Sequence, residues 1–220
     1  MENIVARATR RLLEVTGSSA PTIAPAPLDW RDGLPALTGT MATLRELRLS
    51  DAPALLAMLS TEEVLQFISP APASVQGFER FIAWSNRERA QGTHVCFAVV
   101  PHGIDVPVGV FQIRQLDPGF GTAEWGFAIA SAFWGTGLFM DAARLVVDFA
   151  FDEIQVHRLE ARAAVLNGRG IGALKKVGAV PEGILRKSLL RNGEYLDQAL
   201  WTILDEDWRA VRIVPGIRVH

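Results

Sequence analysis

Two closely spaced glycines, Gly135 and Gly137, are the residues of this 220-residue chain whose spacing most directly suggests chemistry. They follow Trp134 and precede a stretch with helical periodicity. Glycines let backbone N–H groups approach a ligand closely, and a helix that starts there adds unpaired N–H groups and the positive end of its dipole. The pattern predicts a phosphate or pyrophosphate site built from backbone donors, because the loop itself contains no Lys or Arg.

Other motifs that combine glycines with phosphate or nucleophile chemistry do not fit. A dinucleotide-binding fold needs a third glycine where this chain has Met140, and Glu160 falls within a predicted strand rather than at its end. No Lys-Ser/Thr pair follows the glycines, as a P-loop requires, and the Gly-x-Ser-x-Gly of a serine hydrolase does not occur in the sequence. Such glycines also occur in turns before helices that bind no ligand, so the motif needs support from the surrounding sequence.

The surrounding elements predict a mixed fold in the order β-α-α-β-β-β-α-β-α-β-β. Two turns, at residues 101–103 and 117–119, join three strands into an antiparallel meander that ends at the glycine loop. Asn192-Gly193 predicts a type I′ hairpin. The predicted strands are 43–48, 95–100, 106–116, 122–130, 159–165, 184–190 and 195–204, and the predicted helices begin near residues 51, 74, 137 and 167.

Composition limits the class of protein. Hydrophobic residues at 49% and charged residues at 21% are ordinary for a globular domain. The net charge of −2 gives no field to hold nucleic acid, and no apolar run reaches the roughly 20 residues of a membrane span. One cysteine, Cys96, and four scattered histidines indicate neither a disulfide framework nor a metal site. Arginines interrupt residues 1–15, so we expect no signal peptide and a cytoplasmic protein without nucleic-acid or membrane partners.

The first 40 residues differ from the rest of the chain. Residues 16–35 are rich in Pro, Ala, Ser and Gly and lack periodicity, whereas regular patterns begin at Met41. We expect a partly ordered N-terminal extension over residues 1–40, one domain over residues 41–210 and a C-terminal tail over residues 211–220. The extension is either a loose tail or an arm that packs on the domain or on a partner through Leu28, Trp30 and Leu34.

Several further sequence segments follow one another along the chain in the order that is typical of one known family. They are AEWGF at 123–127, FWGTGL at 133–138, Asn167, KKVG at 175–178, EGILR at 182–186, NGE at 192–194, Asp197, Leu204 and DW at 207–208. With them the chain, from Thr43 to Trp208, resembles the GNAT superfamily of acyl-CoA-dependent N-acetyltransferases, in the RimJ/RimL branch. The resemblance implies the GNAT acyl-CoA N-acyltransferase fold, an α+β, three-layer architecture in which helices flank a mixed, mainly antiparallel sheet.

The same resemblance implies acetyl-CoA as the acyl donor and no metal. The pantetheine chain would enter between the strand before the loop and the strand after the helix, and the pyrophosphate would lie on the glycine loop. A backbone N–H near Ala128 would polarise the thioester carbonyl. The cofactor-binding residues that the resemblance implies are Phe127, Ala128, Ile129, Trp134, Gly135, Thr136, Gly137, Leu138, Phe139 and Asn167.

Glu124 and Asn167 are the catalytic candidates that the resemblance implies. Glu124 would accept the amine proton directly or through water, and its apolar sequence neighbours predict surroundings that penalise a charged carboxylate; the alternative is a salt-bridged structural residue. Asn167 would hydrogen-bond pantetheine or the amine, cap a helix, or do both. The chain departs from the family at three positions. Phe139 replaces a residue that is usually small, Gly170 replaces a common serine, and Leu174 replaces a tyrosine that acts as a general acid in other members.

The expected function is acetyl transfer from acetyl-CoA to an amine by direct attack, with a protein N-terminus or a small-molecule amine as acceptor. A Lys side chain, a polyamine and a drug amine stay open too. The alternative is a non-catalytic acyl-CoA-binding or regulatory module. The missing Ser and Tyr proton donors favour that alternative, and the intact loop argues against it. The sequence leaves the oligomeric state open, including a homo-oligomer.

Overall fold

The computed structural model describes residues 29–67 and 71–213. In this part of the chain eight strands form one sheet in the order β1-β2-β3-β4-β5-β6-β8-β7. Neighbouring strands are antiparallel except β5 and β6, which are parallel. The strands are β1 Leu37–Thr38, β2 Ala42–Glu46, β3 His94–Pro101, β4 Gly109–Gln115, β5 Thr122–Ile129, β6 Arg158–Ala164, β7 Val180–Arg191 and β8 Glu194–Leu204.

The described residues also form six α-helices, which cover both faces of the sheet. They are α1 Ala52–Leu59, α2 Glu62–Leu65, α3 Val75–Ala90, α4 Leu138–Phe149, α5 Gly168–Val177 and α6 Asp205–Ile213. Helices α1 and α3 bury their apolar sides on one face, and α4 and α5 bury theirs on the other. In α4 the buried positions Leu138, Ala142, Val146 and Phe149 recur every three to four residues, as expected for one helical face.

This arrangement confirms the predicted fold, a mixed and mostly antiparallel sheet flanked by helices. Asn192 and Gly193 have φ of 50° and 82°, as a type I′ turn requires. The sequence pattern does not predict β1, α2 or α6. Helix α6 follows β8 directly and is anchored by Trp208, whose indole N–H donates to Asp148 at 2.7 Å.

The predictions for residues 1–28 and 214–220 lie outside the described residues. At the described end of the predicted extension, Trp30 is buried and packs edge to face on Phe120, with ring centroids 5.8 Å apart. The proposed division at residue 40 stays a prediction.

The turn between β1 and β2 fixes the start of α4. The N–H groups of Thr40, Met41 and Ala42 donate to the Asp141 carboxylate at 2.9 to 3.2 Å, and the Thr40 hydroxyl donates at 2.7 Å. Partial burial alone raises the pKa of Asp141, but these hydrogen bonds outweigh it and hold the pKa below its ordinary value. The N-terminus of α4, and the glycine loop before it, are thereby held against the sheet.

Candidate active site

The sheet opens between β5 and β6. These parallel strands pair only at their beginnings, and Glu124 opposite Glu160 is the last pair. Beyond it, each strand stays bonded only to its outer neighbour, β4 or β8. A cavity of about 450 Å³ is lined by both strands there. The predicted cleft therefore lies where the sequence analysis put it, between the strand before the loop and the strand after the helix.

The ladder between β4 and β5 decides which backbone groups face this cleft. Ala130 N–H donates to the Val108 carbonyl at 2.8 Å, and the register continues along β5 without a shift. Because hydrogen bonding alternates from residue to residue in an antiparallel ladder, the backbone of Ala128 is committed to β4. The N–H groups of Phe127 and Ile129, on either side of Ala128, face the cleft instead, so they are the available donors near Ala128.

The glycine loop presents unpaired donors at the start of α4. Gly135 and Gly137 have φ of 77° and 96°, which only glycine adopts readily. The Thr136 hydroxyl donates to the Phe133 carbonyl at 2.8 Å and accepts from Leu138 N–H at 3.3 Å, so this side chain shapes the loop. Among the described residues, the backbone N–H groups of 135, 136, 137, 139 and 140 find no acceptor. The loop therefore has the donors that a pyrophosphate requires.

Trp134 links this loop to the cleft and to α5. Its indole N–H donates to the Ile129 carbonyl at 2.8 Å, and the Arg169 guanidinium lies over its ring, 4.2 Å from the centroid. The tertiary structure thus brings an exposed cation beside a loop that has none of its own. The sequence analysis missed Arg169, although its position two residues after Asn167 could have indicated it. The Phe139 ring turns inward and packs on Phe127, with centroids 4.6 Å apart.

Glu124 lies at the point where the sheet opens, and it lines the cavity. Its carboxylate accepts a hydrogen bond from Arg114 at 2.5 Å and lies 3.6 Å from a nitrogen of Arg162. The expectation of apolar surroundings is wrong: β-strand alternation turns the apolar sequence neighbours to the opposite face, and cations from β4 and β6 accompany the carboxylate. The salt bridge of the alternative interpretation is therefore observed. Glu124 nevertheless lines the cavity, so its carboxylate can also contact a ligand.

Asn167 caps α5 and also lines the cavity. Its side-chain oxygen accepts from Gly170 N–H at 2.8 Å, and no described residue bonds its amide NH2 group. A Cβ on Gly170 would lie 2.6 Å from that nitrogen, so the glycine that replaces the common serine leaves the amide free. The capping role is confirmed, and a donor directed at a ligand is compatible with it.

The remaining cavity wall is largely apolar. It includes Leu59, Phe67, Phe78 and Phe81 from the side of α1 and α3, and Leu189 from β7. No serine, threonine, tyrosine or cysteine side chain is among the residues that line the cavity in the described part of the chain. Leu174 lines it and is buried, whereas Tyr195 is 57% exposed on the β7–β8 hairpin. The described residues of the cavity wall therefore offer one carboxylate and no hydroxyl.

An open sheet beside a helix-capping glycine loop defines a protein of the acetyltransferase class. Residues 42–180 match the Acetyltransferase (GNAT) domain family, and the chain belongs to that family. It is 29% identical over 177 residues to "Probable N-acetyltransferase YjcK" of Bacillus subtilis, which covers 78% of this chain and 98% of the relative.

Two solved structures show the same fold. The RimJ of Mycobacterium smegmatis, in complex with CoA-disulfide, has a TM-score of 0.69 at 23% identity, over 78% of this chain and 85% of the other. A GNAT-family acetyltransferase from Bacillus anthracis has a TM-score of 0.68 at 20% identity, over 78% of this chain and 99% of the other.

Residues 29–67 and 71–213 contain neither a membrane-spanning helix nor a cluster of possible metal ligands. No helix there is long and apolar enough to cross a bilayer. No three His, Cys, Asp or Glu side chains gather there as a set of metal ligands.

Proposed function

We propose that this protein transfers the acetyl group of acetyl-CoA to an amine by direct attack. The observation that carries the proposal is the opening of the sheet after Glu124, with free N–H groups of Phe127 and Ile129 on one side of the cleft. The unpaired N–H groups of the glycine loop continue this row of donors at the start of α4. Together they match a donor that combines amide groups, a thioester and phosphates.

The chain's own residues divide the work of binding. The Phe127 and Ile129 backbones would bond the pantetheine amides and the thioester carbonyl. Residues Gly135–Phe139 would bond the pyrophosphate through N–H groups, and Arg169, held over Trp134, supports this with a positive charge. When bound, acetyl-CoA supplies an activated acyl carbon, so no covalent enzyme intermediate is needed. Holding the amine beside that carbon supplies much of the rate.

Glu124 would accept the proton of the incoming ammonium, directly or through one water. Arg114 and Arg162 pair with its carboxylate and hold it at the cavity wall, within reach of a bound amine. The neutral amine then attacks the acyl carbon, a C–N bond forms and the C–S bond breaks. Since the described cavity wall has no hydroxyl or thiol, a proton from the amine or from water would neutralise the departing thiolate.

Thiol release from acetyl-CoA, measured with a panel of primary amines, tests the proposal, and calorimetry with CoA runs beside it. We expect binding together with amine-dependent turnover. Binding without turnover on any amine would support the alternative, a non-catalytic acyl-CoA-binding module. Absence of binding would overturn both functions, because both depend on the glycine loop and the open strands.

A further inference from the structure

Arg162 is a cavity-lining cation whose donors are largely unused. Its guanidinium nitrogens lie 3.6 Å from Glu124 and 3.6 Å from Glu160, which is beyond ordinary hydrogen-bond length. No hydrogen bond from this guanidinium to another described residue is formed, and the side chain is 34% exposed. By contrast, Arg114 bonds Glu124 directly at 2.5 Å. Arg162 can therefore turn its fork of N–H groups to a ligand without losing a hydrogen bond.

The charges of the cavity do not suit a polyamine. Among the described residues that line it, Glu124 is the one carboxylate and Arg162 the one cation, so their two charges cancel. Arg114 adds a second positive charge next to Glu124. A second ammonium of the acceptor would find no second carboxylate among the described lining residues, and Arg162 would repel it at short range.

The charged side chains that line the cavity come from its strands, and a group of phenylalanines comes from its helical side. Glu124, Arg162 and Gln112 belong to the strands, whereas Phe67, Phe78 and Phe81 belong to the helical side. In an α-amino carbonyl compound two carbons separate the nitrogen from the carbonyl oxygen. This short span is similar to the 3.6 Å between the Glu124 carboxylate oxygen and the nearest Arg162 nitrogen. In an acceptor of that type, the amine would contact the Glu124 carboxylate and the carbonyl oxygen would contact the Arg162 guanidinium. The side chain would pack on the phenylalanines.

We propose that Arg162 selects acceptors whose attacking amine lies next to a carbonyl or carboxylate, and that the phenylalanines receive an apolar side chain. The acceptor class is thus a hydrophobic α-amino acid or a peptide that begins with one. This inference rests on the proposed acetyl transfer and adds the acceptor class to it. Arg162 acts as a specificity residue, since guanidinium pairs well with planar oxygen groups.

The test compares acceptors that differ only in the α-substituent. Phenylalanine, phenylalanine amide, the peptide Phe-Ala-Ala, phenethylamine and spermidine are each titrated at saturating acetyl-CoA, and kcat/KM is obtained from thiol release. We expect at least one carbonyl-bearing acceptor to exceed phenethylamine by about 10- to 100-fold, the range for a hydrogen bond to a charged group. A comparison of kcat/KM for free phenylalanine with kcat/KM for the amide and the peptide distinguishes a free amino acid from a chain N-terminus as the acceptor.

R162Q should reduce this advantage to within about twofold, and R162K, which keeps the charge but loses the planar fork, should keep only part of it. R114Q is the matched control, because it also removes a cation beside Glu124 but lies outside the cavity lining. It should change all acceptors alike. CoA affinity by calorimetry, unchanged in each variant, shows that the fold is intact.

Three results overturn the inference while the proposed function stands: phenethylamine or spermidine as good as the carbonyl-bearing acceptors, a preference that survives R162Q, or the same loss of preference in R114Q. Acetyl transfer to none of the amines overturns the proposed function, and this inference with it.

Discussion

Glu124 and Glu160 lie directly opposite each other as the last parallel pair of β5 and β6. Two like charges at one position destabilise a sheet unless a cation compensates. Arg162 lies within 3.6 Å of both carboxylates, Arg114 bonds the first, and Arg158 bonds the second at 2.9 Å. This row of alternating charges therefore lies where the pairing of the two strands stops and the cavity begins.

Replacement of Glu124 by glutamine should lower turnover by about 100-fold at pH 7 and leave CoA affinity nearly unchanged. Glutamine keeps the shape but removes the proton acceptor, and a contribution of this size is usual for a general base. An α-amine with a pKa of about 8 is mostly protonated at pH 7, so the loss should shrink as the pH rises. Steady-state rates from pH 6.5 to 9.5 check this.

The matched control is E160Q, because Glu160 is the register partner of Glu124 and contacts the same Arg162 but does not line the cavity. It should retain most activity. A loss in E124Q that is independent of pH would point to acceptor positioning instead of proton transfer. Full activity in E124Q at pH 7 would remove the residue from the mechanism.

Gly137→Val should weaken CoA binding much more than it weakens folding. Valine would be strained at a position where φ is 96°, and it would place a branched side chain at the loop. Its Cβ alone would lie 3.3 Å from the Met41 sulfur. Gly178→Val is the control: φ is 98° there, a Cβ meets open space, and the residue ends α5 away from the loop. Both should lose similar stability in urea, but only G137V should lose affinity by calorimetry. Equal affinity in both variants would show that Gly137 is structural only.

Arg169→Gln should weaken CoA by about tenfold, since it removes one charged contact to a phosphate. The affinity for pantetheine, which lacks the pyrophosphate, should not change. Lys176→Gln removes a charge from the far end of the same helix and should affect neither ligand. Competition of both ligands against acetyl-CoA measures this. If R169Q weakens both ligands equally, its effect passes through Trp134 and the loop rather than through a phosphate.

His94 should make the protein less stable as the pH falls from 6.5 toward 4. Burial lowers the pKa of His94 to about 4, an effect that Glu88 opposes and Arg114 reinforces. In this window the unfolded chain binds a proton that the folded chain refuses, so the free energy of unfolding decreases on acidification. At about 1.4 kcal/mol per pKa unit, the difference between about 4 and 6.5 corresponds to about 3 kcal/mol.

His94→Phe should flatten this dependence in urea unfolding at several pH values. Neither ring nitrogen of His94 bonds a described residue, so phenylalanine removes no hydrogen bond beside Trp84. His102→Gln, at an exposed position, should leave the curve of the wild type unchanged. Parallel curves for wild type and H94F would contradict the expected burial of a neutral histidine.

Local patterns were sufficient for much of the fold. The turn at residues 117–119 marks the approach to β5, alternation marks β6, Asn167 marks the start of α5, and the glycines mark the start of α4. Each of these signals depends on neighbours within a few residues. Helix α2, with four residues, and strand β1, with two, are too short for a periodicity to be recognised. They form because the sheet and the neighbouring helices support them.

The sequence by itself therefore determined the glycine loop and the order of the elements, since these follow from residue type and short-range spacing. The family resemblance of the sequence added the candidates Glu124 and Asn167. Only the tertiary structure decided which groups meet in the cleft. It set Arg114 and Arg162 beside Glu124, brought Arg169 over Trp134, and turned the Phe127 and Ile129 backbones toward the opening while Ala128 stayed in the ladder. Those neighbours come from distant strands and helices, and their register is set by packing of the whole sheet, which no local pattern contains.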